Sequence, residues 1–216
     1  MTFSLTRFTL TTLAGCCLAA ALSACAPLMI GGAAMTSLVA IDRRTSGAQL
    51  EDEGIELRAA ARIRDTMGER VHVNITSYNR QVLLTGEVPS EQDKQAAEQL
   101  VGKVENVRGV INDLRVTGVS SLTQRSSDAL VTGKVKASLV DDMLLQANAF
   151  KVVTERGTVY LMGLVTPQEA RRATNLTRGS SGVQRVGRAF EMISDEDMRR
   201  LATTPLKTDT TPRQAP

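Results

Sequence analysis

An internal repeat limits the fold of this chain more than any other feature of its sequence. Residues 82–88 read VLLTGEV and residues 159–165 read VYLMGLV, and each is followed by a turn and a polar segment that contains alanines. Each copy then ends in a Val-x-x-Val unit, at 107–110 and at 183–186. Because motifs that recur in the same order mark one supersecondary unit used twice, the sequence predicts two small domains of the same fold.

Each copy, over 55–116 and over 127–193, has the predicted element order α-β-β-α-β. An apolar residue at every fourth position predicts the first helix of each copy and its buried face. These residues are Ile55, Ala59, Ile63 and Met67 in the first copy, and Val131, Val135, Leu139 and Met143 in the second. Two strands follow, and Ser90 or Thr166 precedes the second helix as an N-cap. The predicted fold class is α+β, with two helices packed on a small three-stranded mixed sheet in each copy.

The first strand of the first copy alternates between apolar and polar residues. Val71, Val73 and Ile75 point to one side of this strand, whereas His72 and Asn74 point to the other. We therefore interpret His72 as a solvated surface residue. A copy of about 65 residues is near the lower limit for an independent core, so we expect the two copies to depend on packing against each other.

The N-terminus predicts export from the cytoplasm. Arg7 precedes an apolar stretch, FTLTTLAGCCLAAAL, which leads into LSAC at 22–25. A basic start, an apolar middle and small residues before a cleavage site are typical of a secretory signal peptide. The alternative is an uncleaved transmembrane anchor, although Pro27 and two glycines interrupt the run where a spanning helix should be most apolar.

The LSAC segment resembles the lipoprotein box of bacteria. The resemblance implies that the thiol of Cys25 carries diacylglycerol, that the chain is cut before it, and that the new amine is acylated with a palmitate-like chain. Residue 26 is Ala rather than Asp. By resemblance to the sorting rule of enteric bacteria, this favours transfer of the lipoprotein to the outer membrane. Cys16 and Cys17 leave with the signal peptide, so the resemblance implies a thiol-free protein anchored by lipid and facing the periplasm.

Composition divides the chain into six predicted parts. These are a removed signal peptide over 1–24, a lipidated flexible tether over 25–50, a first domain over 51–117, a linker over 118–126, a second domain over 127–194 and a disordered tail over 195–216. The tether is rich in small residues, and the tail is polar and contains three prolines. Within the tether, DRRT at 42–45 is interpreted as a polar loop that leads into a helix.

The composition leaves little material for catalysis. The chain has one His, three Cys, no Trp and 3% aromatic residues. Nucleic-acid binders that stack bases need aromatic platforms, and a Cys/His pair or a transition-metal site needs more of these two residues. Asp141-Asp142 lacks the ligand spacing of a calcium loop and is interpreted as part of a turn. We therefore expect no enzyme activity, no catalytic residue, no metal, no cofactor and no nucleic-acid partner.

The repeated helix, Val-x-Leu-x-Gly-x-Val hairpin and terminal Val-x-x-Val resemble the BON domain, a small bacterial α/β module. Two copies behind a lipoprotein box, with an Asp-Arg-Arg-Thr segment ahead of the first, resemble the dual-BON outer-membrane lipoproteins over nearly all of 42–193. The resemblance implies a non-enzymatic protein that supports outer-membrane integrity and envelope stress tolerance. It also implies binding to anionic phospholipids such as phosphatidylglycerol and accumulation at division sites.

In that family the lipid contact lies on the first helix of the second domain and is centred on an exposed Trp, which Leu130 replaces here. Lys134 and Ala137 lie on the same side of the predicted helix, and Lys136 is offset around it. An apolar residue beside lysines suits contact with an anionic membrane, and the second copy carries a net charge of +3 whereas the first carries none. The alternative is that Leu130 covers a seam between the domains.

A second class of function fits the same sequence. The protein is then an adaptor that supports the outer-membrane protein assembly machinery, with the sheets or helices of its domains as docking surfaces. This function requires no specific lipid binding beyond the anchor.

Overall fold

The computed structural model describes residues 42–203. The predicted signal peptide, Cys25 and most of the predicted tether lie outside the described residues. Over 42–203 the structure contains five α-helices and two small mixed sheets. None of the helices within this range is both long enough and apolar enough to cross a membrane.

The first domain has the element order that the repeat predicts, with one short strand added. Its elements are α1 (Ser46–Met67), β1 (His72–Tyr78), β2 (Gln81–Val88), α2 (Glu91–Gly102), β3 (Gly109–Asn112) and β4 (Arg115–Val116), with a 3₁₀ turn at Gly68–Arg70. β1 pairs with β2 in antiparallel orientation, and β2 pairs in parallel with both β3 and β4. The sheet is mixed because a tight turn joins β1 to β2, whereas α2 provides the crossover that a parallel pair needs.

The second domain repeats this arrangement. Its elements are α3 (Leu122–Asp141), β5 (Lys151–Glu155), β6 (Thr158–Val165), α4 (Pro167–Gly179) and β7 (Arg185–Met192), with a 3₁₀ turn at Ala147–Ala149. β5 pairs antiparallel with β6, and β6 pairs in parallel with β7. A further helix, α5 (Asp195–Thr203), follows. The predicted α+β class and the mixed sheets are confirmed.

Each domain has its own apolar core between its helices and one face of its sheet. The predicted stripe of α1 is buried along its whole length, and the first three residues of the stripe on α3 are buried as well. The prediction for Met143 is wrong, because its side chain is 98% exposed. α3 ends at Asp141, and the turn that follows brings Leu145 into the core instead.

The predicted N-caps of the second helices are confirmed. The hydroxyl of Ser90 accepts a hydrogen bond from the backbone N–H of Asp93, and that of Thr166 accepts one from the N–H of Glu169. The Glu169 carboxylate accepts the N–H of Thr166 in return, which completes a capping box. These caps determine where α2 and α4 begin.

Helices extend into three segments that the sequence analysis predicted to be irregular. α1 begins at Ser46, although the tether was expected to continue to residue 50, because Thr45 caps the helix. α3 begins at Leu122, inside the predicted linker, where Ser121 is the cap. α5 occupies the start of the predicted disordered tail, and residues 204–216 lie outside the described residues. Hydroxyl caps satisfy free N–H groups, and so extend the helices past their apolar stripes.

A third apolar cluster joins the outer faces of the two sheets. It contains Tyr78 and Leu83 from the first domain and Tyr160, Met162, Leu164 and Ala189 from the second. All six side chains are less than 10% exposed. The end of β1 that carries Thr76 and Tyr78 is therefore buried on the side expected to be solvated, while Asn74 on the same side stays exposed, and the two small domains share this seam.

Candidate functional site

The exposed face of α3 carries all four residues that the sequence analysis assigned to lipid contact. Leu130, Lys134, Lys136 and Ala137 are each exposed, and Leu130 retains 69% of its accessible surface. Leu130 therefore does not cover the seam between the domains, since the buried residues of α3 are on its opposite side. In the part of the chain that the structure describes, neither lysine forms an ion pair, so both charges are free to act on a ligand.

The exposed apolar surface of α3 continues past the end of the helix. Val140 is 68% exposed, and Met143 and Leu144 are 98% and 68% exposed. Asp142 holds the turn that presents them. Its carboxylate accepts a hydrogen bond from the backbone N–H of Leu144, and both carboxylate oxygens accept from Nε of Arg172 at 2.8 Å. Asp141-Asp142 thus ends the helix and begins a turn, as the sequence analysis interpreted it. Sequence reasoning missed these apolar residues because it assigned Met143 to the core.

Asp128 fixes the position of α3 against the sheet. Its carboxylate accepts hydrogen bonds from the backbone N–H groups of Arg156 and Gly157, each at 2.8 Å, in the turn between β5 and β6. Asp52 occupies the corresponding place on α1, with bonds of 2.7 Å from the N–H groups of Asn79 and Arg80. The repeat could have revealed this pair, because Asp52 precedes its two amide partners by 27 and 28 residues and Asp128 precedes its own by 28 and 29.

The DRRT segment connects the two domains as well as leading into α1. Arg43 is buried and donates to the carbonyl of Leu164 at 2.7 Å and to the carboxylate of Glu169 at 2.6 and 3.0 Å. Arg44 instead contacts the first domain, where it donates to Asp52 at 2.7 Å and lies over the Tyr78 ring at 4.2 Å. The loop interpretation is correct for the backbone, and it left out this bridging role of the two guanidinium groups.

The N-terminal end of the described chain lies beside the exposed face of α3. Asp42 and Arg44 line a surface cleft of about 490 Å³ together with Lys136, Val140 and Lys151. The described part of the chain therefore begins near the C-terminal half of α3.

A charged cluster lies in the seam, and it shows that the prediction of a solvated His72 is wrong. The side chain of His72 is only 22% exposed, and its Nδ1 lies 2.8 Å from the Glu87 carboxylate, which is fully buried. Glu87 also accepts from Nε of Arg156 at 2.6 Å, across the seam. Glu155 approaches from the second domain and accepts from Asn74 at 2.7 Å.

The two carboxylates of this cluster differ in their proton affinity. Burial raises the pKa of Glu87, but hydrogen bonds from Arg156 and His72 outweigh it, so this pKa lies below its usual value. Burial raises the pKa of Glu155 above its usual value, and the nearby negative charge of Glu87 adds to the effect. Among the described residues Glu87 therefore has a guanidinium partner, whereas Glu155 has the amide of Asn74.

Comparisons with known proteins agree with the repeat. The model of the BON domain family matches residues 55–118 and 127–193. The chain is 36% identical over 174 residues to "Outer membrane lipoprotein DolP" of Haemophilus influenzae, which covers 80% of this chain and 90% of that protein.

Two further relatives match over smaller shares of the chain. The "21 kDa hemolysin" of Actinobacillus pleuropneumoniae is 32% identical over 71% of this chain and 80% of its own length. "Osmotically-inducible protein Y" of Escherichia coli is 26% identical over 63% of this chain and 70% of its own length. With two matched domains that span more than half of its length, the chain belongs to the BON domain family.

Proposed function

We propose that this protein is a non-enzymatic lipoprotein of the outer membrane, held in the periplasm by Cys25, which binds anionic phospholipid through the exposed face of α3. In this role it supports envelope integrity and acts at division sites. The observation that carries the proposal is the combination on one helix of two exposed lysines, which form no ion pair within the described residues, with large exposed apolar side chains.

The chemistry of the α3 face suits the surface of an anionic bilayer. Leu130 and Val140 can enter the boundary between headgroups and acyl chains, and Met143 and Leu144 extend this apolar surface beyond the helix end. Lys134 and Lys136 add favourable electrostatic energy of about 1 kcal/mol each near anionic lipid. The apolar residues alone would not distinguish anionic from neutral lipid, so the lysines supply that preference.

The position of the N-terminal segment supports the same orientation. Residues 26–41 separate Cys25 from Asp42, and a chain of this length spans at most about 60 Å when extended. Asp42 lies at the cleft beside Lys136 and Val140. An anchor joined through this segment keeps the second domain within about 60 Å of the bilayer, which is near enough for the α3 face to reach it.

Sedimentation with lipid vesicles tests this proposal. The fragment 42–216 should co-sediment with phosphatidylglycerol vesicles more strongly than with phosphatidylcholine vesicles, and binding should fall as salt screens the lysines. Leu130→Glu and the double charge reversal of Lys134 and Lys136 should each reduce recovery several-fold. Leu57→Glu is the matched control, since Leu57 is 73% exposed on α1 of the first domain.

Two results would count against lipid binding by α3. One is equal recovery on neutral and anionic vesicles, and the other is equal loss of binding in Leu57→Glu and Leu130→Glu. In either case the adaptor function that the sequence also permits would be the better description of the protein.

A further inference from the structure

We propose that His72, Glu87 and Glu155 form a binding site for one transition-metal dication of the Zn²⁺ type, located in the seam between the two domains. Two of the ligands come from the first domain and one from the second. The metal would therefore link β1 and β2 to β5 directly.

The geometry of the three side chains suits such an ion. Each residue offers one ligand atom, and these atoms all lie within 4.8 Å of one another. Zn²⁺ bonds to imidazole nitrogen and carboxylate oxygen at about 2.0–2.2 Å, which places tetrahedral ligand atoms about 3.3 Å apart. His72 Nδ1 and Glu87 Oε2 are 2.8 Å apart, so this pair need only open slightly to admit the ion.

The charge of the cluster favours a cation. Glu87 is fully buried and Glu155 is 6% exposed, and two carboxylates this close together repel each other. Within the described residues Arg156 is the one cation that contacts them, through Glu87. A dication between the two carboxylates would relieve their mutual repulsion, and one imidazole with two carboxylates is a ligand set that Zn²⁺ accepts.

Neighbouring polar groups on the same sheet face provide a second, independent indication. Asn74 donates to Glu155 at 2.7 Å and so holds that carboxylate in place, as outer groups do around metal ligands. Thr85 lies opposite Asn74 and two residues before Glu87 on β2. Its side chain is 1% exposed, and among the described residues its hydroxyl has no hydrogen-bond partner. A water molecule bound to the metal would supply a partner at this face of the sheet.

An ion can reach the cluster from solvent. His72, Asn74 and Glu155 line a surface cleft of about 540 Å³, and Asp128 and Arg125 line it as well. Three protein ligands leave a fourth position for water in a tetrahedral site, and the cleft has room for it.

Metal retention by the full chain tests the site. The protein is purified in detergent without a histidine tag, treated with EDTA, and dialysed against micromolar Zn²⁺ in excess Mg²⁺. We expect about one bound Zn²⁺ per chain and a rise in the unfolding temperature, because the ion binds only the folded seam. His72 is the single histidine of the chain, so a shift of its ring resonances in NMR spectra on adding Zn²⁺ would identify the ligand without further assignment.

The variants separate a metal site from a structural hydrogen bond. His72→Gln can still donate to Glu87 but cannot replace the imidazole ligand, and it should lose Zn²⁺ together with Glu155→Gln. Asn74→Ala should weaken affinity about 10- to 100-fold. Glu191→Gln is the control, because Glu191 accepts from Asn79 and Arg108 elsewhere in the chain and lacks a His neighbour among the described residues.

The proposal is wrong if the wild-type chain retains no Zn²⁺, or if His72→Gln retains as much Zn²⁺ as Glu191→Gln. Circular dichroism of the metal-free variants shows whether each is folded. An unfolded His72→Gln would leave the decision to the NMR shift of His72 in the wild-type chain, where no shift overturns the site.

Discussion

The guanidinium of Arg43 lies 2.6 Å from the carboxylate of Glu169, so a residue that precedes the first domain is paired with the first turn of a helix in the second. Both side chains are largely buried, at 5% and 16% exposure. Removing one partner of a buried ion pair leaves the other charge without compensation. The strength of the seam therefore depends on a segment outside both repeats.

We expect Arg43→Ala to lower the free energy of unfolding by about 3 kcal/mol, because Glu169 and the carbonyl of Leu164 both lose their donor. Urea denaturation followed by circular dichroism measures the change. Arg58→Ala is the control, since Arg58 and Glu51 form an exposed pair within the first domain and should matter little. Equal effects of the two substitutions would show that Arg43 is not a structural link.

Replacing Asp128 should detach α3 from the turn that it supports. Asp128→Ala leaves the N–H groups of Arg156 and Gly157 without their acceptor, and we expect a loss of about 2–4 kcal/mol. Hydrogen exchange should show faster exchange at these two amides than at the corresponding amides of Asn79 and Arg80. Unchanged protection at Gly157 would contradict the role given to Asp128.

The pH dependence of stability should report on Asp52. Burial raises the pKa of its carboxyl, but the hydrogen bonds from Ser77, the Arg80 amide, Arg44 and the Asn79 amide outweigh it, so the pKa lies below the usual value. A carboxyl with a lowered pKa in the folded state stabilises the fold above its unfolded pKa of 3.8, and this contribution is lost as the pH falls through the folded value.

Urea unfolding of the wild type and of Asp52→Asn between pH 7 and pH 3 tests this dependence. The variant should be less stable at neutral pH, and the difference between the two proteins should shrink in acid. A difference that stays constant over this range would show that the charge of Asp52 does not contribute.

Gly86 should not tolerate a side chain. Its φ is 111°, and a Cβ built there would lie 2.1 Å from the carbonyl oxygen of His72. Gly86→Ala must displace the backbone of β1, so we expect a loss of about 2 kcal/mol or more. Gly133→Ala is the control, since Gly133 lies in α3 with open space around it and alanine there should stabilise the helix by about 0.5–1 kcal/mol. Thermal unfolding distinguishes the two outcomes.

The proposed lipid contact on α3 predicts a gain-of-function change. Leu130→Trp should increase recovery on phosphatidylglycerol vesicles, because an indole ring anchors at the interface between headgroups and acyl chains. Leu57→Trp, at a comparably exposed position of the first domain, should not. An equal increase for both would indicate adsorption that is independent of α3.

The sequence predicted the fold well where the sequence pattern is confined to a single helix. The apolar stripe of α1 and the caps at Ser90 and Thr166 depend on local spacing, and the repeat confirmed each of them in a second copy. Met143 was misassigned because a periodic pattern does not show that the helix ends two residues earlier, at Asp141.

The candidate sites were only partly predictable, because their residues meet across the seam. Leu130 and Lys134 lie close together on one helix, so helical periodicity sufficed to place them. Arg43 and Glu169 are 126 residues apart in sequence, and His72 and Glu155 come from different domains. Alternation along β1 correctly turned His72 away from the core of its own domain, but it could not show that a second sheet covers that side.

The apolar seam also has a consequence for the ancestry of this architecture. Leu83 and Tyr160 occupy corresponding positions of the two copies, and both are buried where the sheets meet. A lone copy would expose this apolar face to water, and association with an identical copy through the same surface would bury it. The tandem chain is thus equivalent to a self-associating pair whose subunits have been joined into one polypeptide. The two halves of the present chain differ in charge, since the second copy carries a net +3 and the first carries none.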